Sequence, residues 1–466
     1  MKSFKHDLSL RIAKLMPVIF ASVPFAFCWY GYFADTIMAP YFNKGNWLVI
    51  ALFVALYITF ARVYDAFLIS INRISEIAYS QCLAVLLSDA MMFIVIWLLN
   101  HSFPNLIPCL ITLAVQLVLV VAWSFIAHMW YFASFPPIKT AIVYSEHYDV
   151  ASLMREYGLE KKFDVQAVLD AEDCAVNIEQ LADFKTVFIC GVSSHERNQI
   201  LKYCTDKGIT VYLLPRIGDI ILNGAKRMHM FHLPMLRVDR WNPKPEYKLF
   251  KRLFDIVASL IVLVPLSGIM LVTAIAIKVT DGGPVFYKQD RLTKDGKVFK
   301  VLKFRSMRVD AEKDGVARLS TGDNDDRITP VGRIIRKCRI DELPQLLNIL
   351  GGSMSVVGPR PERPEIAAQY EQELPEFRLR LQAKAGLTGY AQVYGKYNTT
   401  PYDKLQMDLM YIAKPSFMED LRIIFATIKI LFLPESTDGI AVGQTTAMSG
   451  AEPLDVTYYE EEKVTK

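Results

Sequence analysis

Apolar positions come in long blocks over the first third of the chain and in short, regularly spaced runs thereafter. Four blocks, near 15–34, 46–61, 79–99 and 105–128, approach or exceed the ~17–25 apolar residues that a membrane-crossing helix needs. The pattern therefore predicts four transmembrane helices within residues 1–136. The first block follows Lys2, Lys5, Arg11 and Lys14 and has the outline of a signal peptide. It carries no small-x-small cleavage site and three further blocks follow, so an anchor is expected. Those basic residues, with Arg62 and Arg73 between the second and third blocks, mark the cytoplasmic side. The short stretch His101–Asn105 has no Lys or Arg and reads as an outer turn. The chain is then expected back inside before Lys139.

The pattern changes in residues 137–240. Apolar runs at Thr140–Tyr144, Val165–Leu169, Thr186–Val192 and Thr210–Leu214 alternate with helical stretches near 147–157, 177–184 and 194–207. Short β-rich runs separated by helices predict a small Rossmann-like parallel sheet with covering helices. A dinucleotide site would need glycines in the first strand–helix turn. That turn is Tyr144-Ser145-Glu146-His147-Tyr148-Asp149, so a structural or regulatory module is expected.

Trp241 to Lys251, with two prolines and several charges, reads as a linker into residues 241–437. Behind it runs Ile256 to Ile277, which holds no charge at all. Lys251 and Arg252 precede this run and Lys278 and Lys288 follow it, so neither end looks external. Pro265, with Ser267 and Gly268 close behind, removes a backbone donor from its middle, and a nearby serine can satisfy a freed carbonyl. A re-entrant helix–break–helix hairpin over 251–280, entering one leaflet and returning, fits these features. A kinked fifth span is the competing reading. The later stretch Tyr402–Phe432 alternates charged and apolar residues at helical spacing, as a membrane-resting amphipathic helix or a domain-covering helix would. Residues 438–466 are polar and read as a flexible tail.

Composition narrows the class. At 466 residues and 52% apolar, with mean hydropathy +0.24, the chain is multidomain and too greasy to be wholly soluble. A net charge of +4 gives no general affinity for nucleic acid. Seven scattered cysteines without a CxxC argue against a disulfide framework or zinc site and suit a reducing setting.

The chemistry concentrates in Thr329–Pro361, TPVGRIIRKCRIDELPQLLNILGGSMSVVGPRP. Thr329-Pro330 starts a helix as cap and N1 proline. On it Arg333, Arg336 and Lys337 form one cationic face, and Arg339 follows. Asp341 has the look of an N-cap for a second helix with Pro344 in its first turn, and Glu342 would suit its dipole. Capping alone leaves the surrounding cations unexplained, including those of the loop Gly358-Pro359-Arg360-Pro361-Glu362-Arg363. Cations gathered around a carboxylate suit a polyanionic substrate, and a carboxylate relieved of repulsion can attack phosphorus. Upstream, GGPVFYKQDR at 282–291 and KFRSM at 303–307, with Lys303 and Arg305, read on their own as an ordinary hairpin. Asp323-Asn324-Asp325-Asp326 has the form of a metal-binding DxD, but its Gly- and Thr-rich setting favours a solvated turn.

From about Lys251 to Pro434 the chain resembles the bacterial sugar transferase family, the polyprenyl-phosphate sugar-1-phosphate transferases. The shared pieces are KRLFD at 251–255, the proline-broken apolar run, GGPVFYKQDR, KFRSM, RITPVGRIIRKCRIDELPQLLNIL at 327–350, GSMSVVGPRPE at 352–362 and AGLTGYAQVYG at 385–395. Tyr390 stands where the family often has Trp. The four spans and glycine-poor αβ module resemble the family's long members, which start capsule, exopolysaccharide or O-antigen units. The expected fold is thus membrane α plus α/β: a four-helix transmembrane bundle, a Rossmann-like module and a monotopic catalytic domain.

The resemblance implies that Asp341 attacks the β-phosphorus of a UDP-sugar, releasing UMP, and that undecaprenyl phosphate then takes the phosphosugar. It implies Mg²⁺ with Glu342 as ligand, Arg336 on the transferred phosphate, and substrate contacts from Arg360, Arg333, Lys303, Arg305, Lys251 and Arg252. Lys251 and Arg252 would draw lipid phosphate to the hairpin mouth. The implied setting is the bacterial inner membrane, multi-pass, with the catalytic domain facing the cytoplasm; a homo-oligomer is admitted. Two other readings compete. A membrane-bound nucleotide-sugar dehydratase or epimerase would need the missing glycine fingerprint. A non-enzymatic membrane scaffold would tolerate Asp341→Asn.

Overall fold

The computed structural model describes residues 2–41, 44–145, 154, 158–241, 243–309, 327–395 and 399–431. The expected tail at 438–466, the Asp323–Asp326 stretch and most of the helix expected near 147–157 lie outside the described residues. Two compact units divide the chain after Leu214.

The first unit opens with α1 (Lys2–Cys28), continued by a π-helical turn Trp29–Phe33, then α2 (Lys44–Val63), α3 (Ile74–Asn100) and α4 (Leu106–Ser134). All four are long and apolar enough to cross a membrane. They expose large apolar side chains such as Phe27, Leu98 and Val118, on a scale that lipid tolerates and water does not. Inside, Phe25 stacks on Phe53 with ring centroids 4.3 Å apart, and Trp29 and Tyr57 are fully buried. Polar groups in such a bundle need partners across helices. The Gln116 amide accordingly donates to the Ala21 carbonyl at 2.8 Å, and the Tyr57 hydroxyl meets the Gln81 side chain.

Four parallel strands follow: β1 (Ile138–Tyr144), β2 (Phe163–Asp170), β3 (Thr186–Cys190) and β4 (Thr210–Leu213), in the order β2-β1-β3-β4. Their core, Ala141, Val143, Val187 and Ile189, packs with Leu181, Ile200 and Cys204. Covering helices are α5 (Ala171–Val176) and α6 (Ser194–Lys207), the latter closed by Gly208. The stretch expected helical at 177–184 is a 3₁₀ turn, Ile178–Asp183.

The second unit begins with α7 (Ile217–Asn223) and the exposed hairpin β5 (Lys226–Met230) with β6 (Leu233–Arg237). Only residues 241–244 of the expected linker precede the helix, because Pro245 takes the first turn of α8 (Pro245–Asp281). The expected helix–break–helix is instead one continuous helix, Pro245–Asp281, with Pro265 inside it. Ser267 Oγ donates to the Val264 carbonyl at 2.7 Å, beside the bond that proline removes. Both halves of α8 rest on the same domain. Arg252 donates to the Ile349 and Leu350 carbonyls at 2.6 and 2.7 Å, while Met270, Ala274 and Ile277 pack at Phe304 and Ile335. Its other face exposes Leu253, Ile261, Val264, Leu271, Val272 and Ile275.

The rest of the unit forms the bed of the site. It comprises the antiparallel β7 (Phe286–Leu292) and β8 (Val298–Phe304), α9 (Pro330–Lys337), α10 (Gln345–Leu350) and β9 (Ser355–Val357). Then come α11 (Pro364–Glu373), β10 (Gly386–Thr388) parallel to β9, α12 (Tyr390–Tyr394), α13 (Pro401–Ala413) and α14 (Phe417–Leu431). The late helical stretch is therefore two helices, parted near Pro415. α13 buries Leu405, Leu409, Tyr411 and Ile412 in the domain core with Val357, Tyr370 and Phe377, which settles it as a covering helix.

Candidate active site

Three local devices place the carboxylate pair. Thr329 caps α9, its Oγ accepting from the Gly332 amide at 2.9 Å. Gly332 is needed there, since a Cβ would lie 1.8 Å from the Ser306 carbonyl oxygen. At the far end of α9, Arg339 turns left-handed (φ 53°) and throws Ile340–Glu342 into a 3₁₀ turn. Asp341 is consequently no helix cap, contrary to its sequence pattern. Pro344 occupies the N-cap of α10, and Asp341 stays in the 3₁₀ turn ahead of it. The third device is Asn348 on α10. Its side chain accepts from the Leu302 amide and donates to the Lys300 carbonyl, both at 2.9 Å, and so registers α10 against β8.

That register brings Lys303 Nζ to 2.9 Å from Glu342 Oε1. Arg360 Nη2 reaches the same oxygen at 3.3 Å, so the loop and the strand meet on one carboxylate. Burial pushes the Glu342 pKa up, but Lys303 and Arg360 outweigh burial and hold it well below the usual carboxylate range. Asp341 behaves oppositely. Burial and the adjacent Glu342 charge push it up to about 6, against the pull of Lys303, Arg336 and Arg339. Two neighbouring carboxylates with separated pKa values are a common mark of divided chemical roles.

The structure thus gathers Asp341, Glu342, Lys303, Arg336 and Arg360. Other expected contacts lie elsewhere. Arg333 is exposed on α9. Arg305 is buried, with its guanidinium where a Gly283 side chain would otherwise sit. Lys251 is held by Asp420 at 3.0 Å, an acid that also accepts from the Tyr247 and Tyr411 hydroxyls at 3.0 and 2.8 Å. Arg252 is spent on the end of α10. Lys251 and Arg252 therefore fasten α8 to its domain and do not reach the carboxylate pair.

Sequence reasoning missed Arg291, Gln345, Arg380 and Asp408. Arg291 and Gln345 line a small cleft with Lys303, Glu342, Arg360 and the Gly386 backbone. Arg291 Nη1 also donates to the Pro361 carbonyl at 2.9 Å. The loop seats on β10 through glycine contacts, since a Cβ on Gly386 would fall 2.1 Å from the Gly358 nitrogen. Arg291 stands inside the GGPVFYKQDR run, so its charge was visible and its loop contact was not.

Two carboxylates on one turn are a donor set that Mg²⁺ accepts when substrate phosphates and water complete its shell. Among the described residues no third His, Cys, Asp or Glu joins them.

A family model described as bacterial sugar transferase matches residues 246–434. Over 239 residues the chain is 36% identical to a UDP-N-acetylgalactosamine-undecaprenyl-phosphate N-acetylgalactosaminephosphotransferase of Aeromonas hydrophila, covering 51% of this chain and 55% of that protein. Over 220 residues it is 40% identical to a UDP-glucose:undecaprenyl-phosphate glucose-1-phosphate transferase of Klebsiella pneumoniae, covering 46% and 45%. Over 187 residues it is 44% identical to the exopolysaccharide production protein PSS of Rhizobium leguminosarum bv. phaseoli, covering 38% of this chain and 92% of that protein. The chain spans about half the length of the first two relatives, and its matched region accounts for nearly all of the third.

Proposed function

The chain belongs to the bacterial sugar transferase family, and from that premise we propose that it moves a sugar 1-phosphate from a UDP-sugar to undecaprenyl phosphate. In this reading it starts an exopolysaccharide, capsule or O-antigen unit. The observation that carries it is the meeting of Lys303 and Arg360 on Glu342 beside Asp341, whose own carboxylate is committed to no cap.

Asp341 supplies the nucleophile. Its carboxylate oxygen bonds to the β-phosphorus of the UDP-sugar while the bond from that phosphorus to the bridging oxygen breaks, so UMP leaves with the electron pair. An acyl phosphosugar remains on Asp341. An oxygen of undecaprenyl phosphate then bonds to the same phosphorus, the acyl–oxygen link to phosphorus breaks, and the Asp341 carboxylate returns with polyprenyl-diphosphate-sugar as product. Anion meets anion in both steps, so neutralisation by fixed cations is the main catalytic demand. In this reading Lys303 and Arg360, which meet on Glu342, take the incoming diphosphate, and Arg336, whose charge acts on Asp341, takes the transferred phosphate. Glu342, with Asp341 beside it, would hold Mg²⁺, which when bound would offset diphosphate charge.

The acceptor is a lipid, and α8 supports its delivery. Both halves of that helix rest on one domain while its outer face is apolar, which supports a segment that enters one leaflet, bends at Pro265 and returns with the site at headgroup depth. We place that leaflet on the cytoplasmic side of the inner membrane, where UDP-sugars occur and where the basic flanks of the first span belong. The test is a UMP-release assay across a panel of UDP-sugars, with and without undecaprenyl phosphate. Release that needs one UDP-sugar and becomes catalytic only with the lipid is expected. No release with any UDP-sugar in the presence of Mg²⁺ and lipid would overturn the reading.

A further inference from the structure

We propose that Arg380 is a positioning residue for this transfer: clamped by Asp408, it grips the Gly358–Pro361 loop by its backbone and so keeps Arg360 over Glu342. The inference rests on the reading above that Arg360 meets substrate phosphate. Arg380 lies in the 3₁₀ segment Pro375–Gln382 and Asp408 on α13. Arg380 Nε and Nη2 donate to Asp408 Oδ2 at 2.8 and 2.6 Å. Nη2 also donates to the Arg360 carbonyl at 2.9 Å, and Nη1 stands 3.9 Å from Glu362 Oε1. The two side chains are 5% and 1% exposed, so the pair is out of reach of solvent and touches no reacting atom.

An ion pair serving only to join α13 to the 3₁₀ segment would have no reason to reach the loop. This one holds both the residue before Pro361 and the residue after it. Pro359 and Pro361 already fix the neighbouring backbone torsions, so a grip on the Arg360 carbonyl sets where its side chain points. Buried ion pairs are poor stabilisers compared with apolar packing and are sometimes kept for geometric specificity. Here the geometry specified is that of the guanidinium facing the carboxylate pair.

The test is a double-mutant cycle on kcat/KM for UMP release, crossing Arg360→Ala with the paired replacement Arg380→Met/Asp408→Leu. Replacing both charges together leaves no lone buried ion. The Arg380→Lys variant runs the same cycle if the apolar pair does not fold, because an ammonium lacks the fork that reaches Asp408 and the loop together. The pair replacement is expected to lower kcat/KM about tenfold, and Arg360→Ala should then cost about tenfold less than it does in the native protein. If the two losses simply multiply, Arg380 does not act through Arg360 and the proposal is wrong. If Arg360→Ala alone costs nothing, the substrate role of Arg360 falls first and the proposal falls with it.

Discussion

Asp341 and Glu342 are neighbours on one turn with opposed electrostatic lives. Glu342 is the anchored anion, while Asp341 is half-buried next to a charge of its own sign and keeps a raised pKa of about 6. Its ionisation therefore works against folding: that cost is absent below the unfolded carboxylate range and is incurred as pH rises through about 6. In the metal-free protein, Asp341→Asn should gain stability on wild type between pH 4 and pH 8, by about 1–3 kcal/mol. Denaturant unfolding in EDTA at the two pH values measures this, and parallel pH dependence of the two proteins would contradict it. The pair itself was legible in the sequence because its cations cluster along one short stretch. The partner Lys303 was marked as a substrate contact, yet its bond to Glu342 was hidden. A contact 39 positions apart leaves no periodic trace.

Elements carry the next layer of the account. The α9 turn depends on Gly332, where any side chain meets the Ser306 backbone. Gly332→Ala should cost the second unit roughly 2–4 kcal/mol, as overpacking against fixed backbone does. It should also impair UMP release even at temperatures where the protein stays folded, because α9 delivers Arg336 and Arg339 to the pair. Thermal unfolding read alongside activity checks both, and an unperturbed variant would mean that α9 shifts without consequence. Strands and spans were legible as changes of period, and β1, β3, β4, α6 and the four long helices fall where the apolar runs stand. What the pattern obscured was backbone geometry. Pro265 suggested a break, but the helix runs through it from Pro245 to Asp281, giving up only the bond that its missing N–H would have made to the Ile261 carbonyl. Arg339 shows the reverse: a side chain that favours helices sits at a left-handed turn, between the buried Ile335 and the buried Leu346.

At the scale of the molecule, the whole carboxylate site lies in the second unit, together with α8 and its apolar face. The region alike to the Rhizobium protein accounts for 92% of that relative, so a chain of this extent stands as a protein in its own right. A protein beginning at Pro215 should thus fold, partition with membranes and release UMP at a rate within about tenfold of the full chain, a loss of under 1.4 kcal/mol in barrier terms. Flotation with liposomes and the UMP assay test this. Complete loss of activity in a folded fragment would show that the first unit contributes to the site. The first unit's sheet was legible in its order of strands and helices. Its task was not, because a parallel sheet by itself supports many functions.

The central claim is that phosphorus becomes bonded to Asp341. The most direct measurement is to expose purified protein to UDP-sugar with Mg²⁺ and no lipid acceptor, digest it, and weigh the peptide that holds residue 341. The account predicts the mass of the sugar phosphate supplied on that peptide, removed by added undecaprenyl phosphate and absent from Asp341→Asn. An unmodified peptide in a preparation that converts UDP-sugar and lipid to product would contradict it, and would mean that the lipid phosphate attacks the UDP-sugar directly.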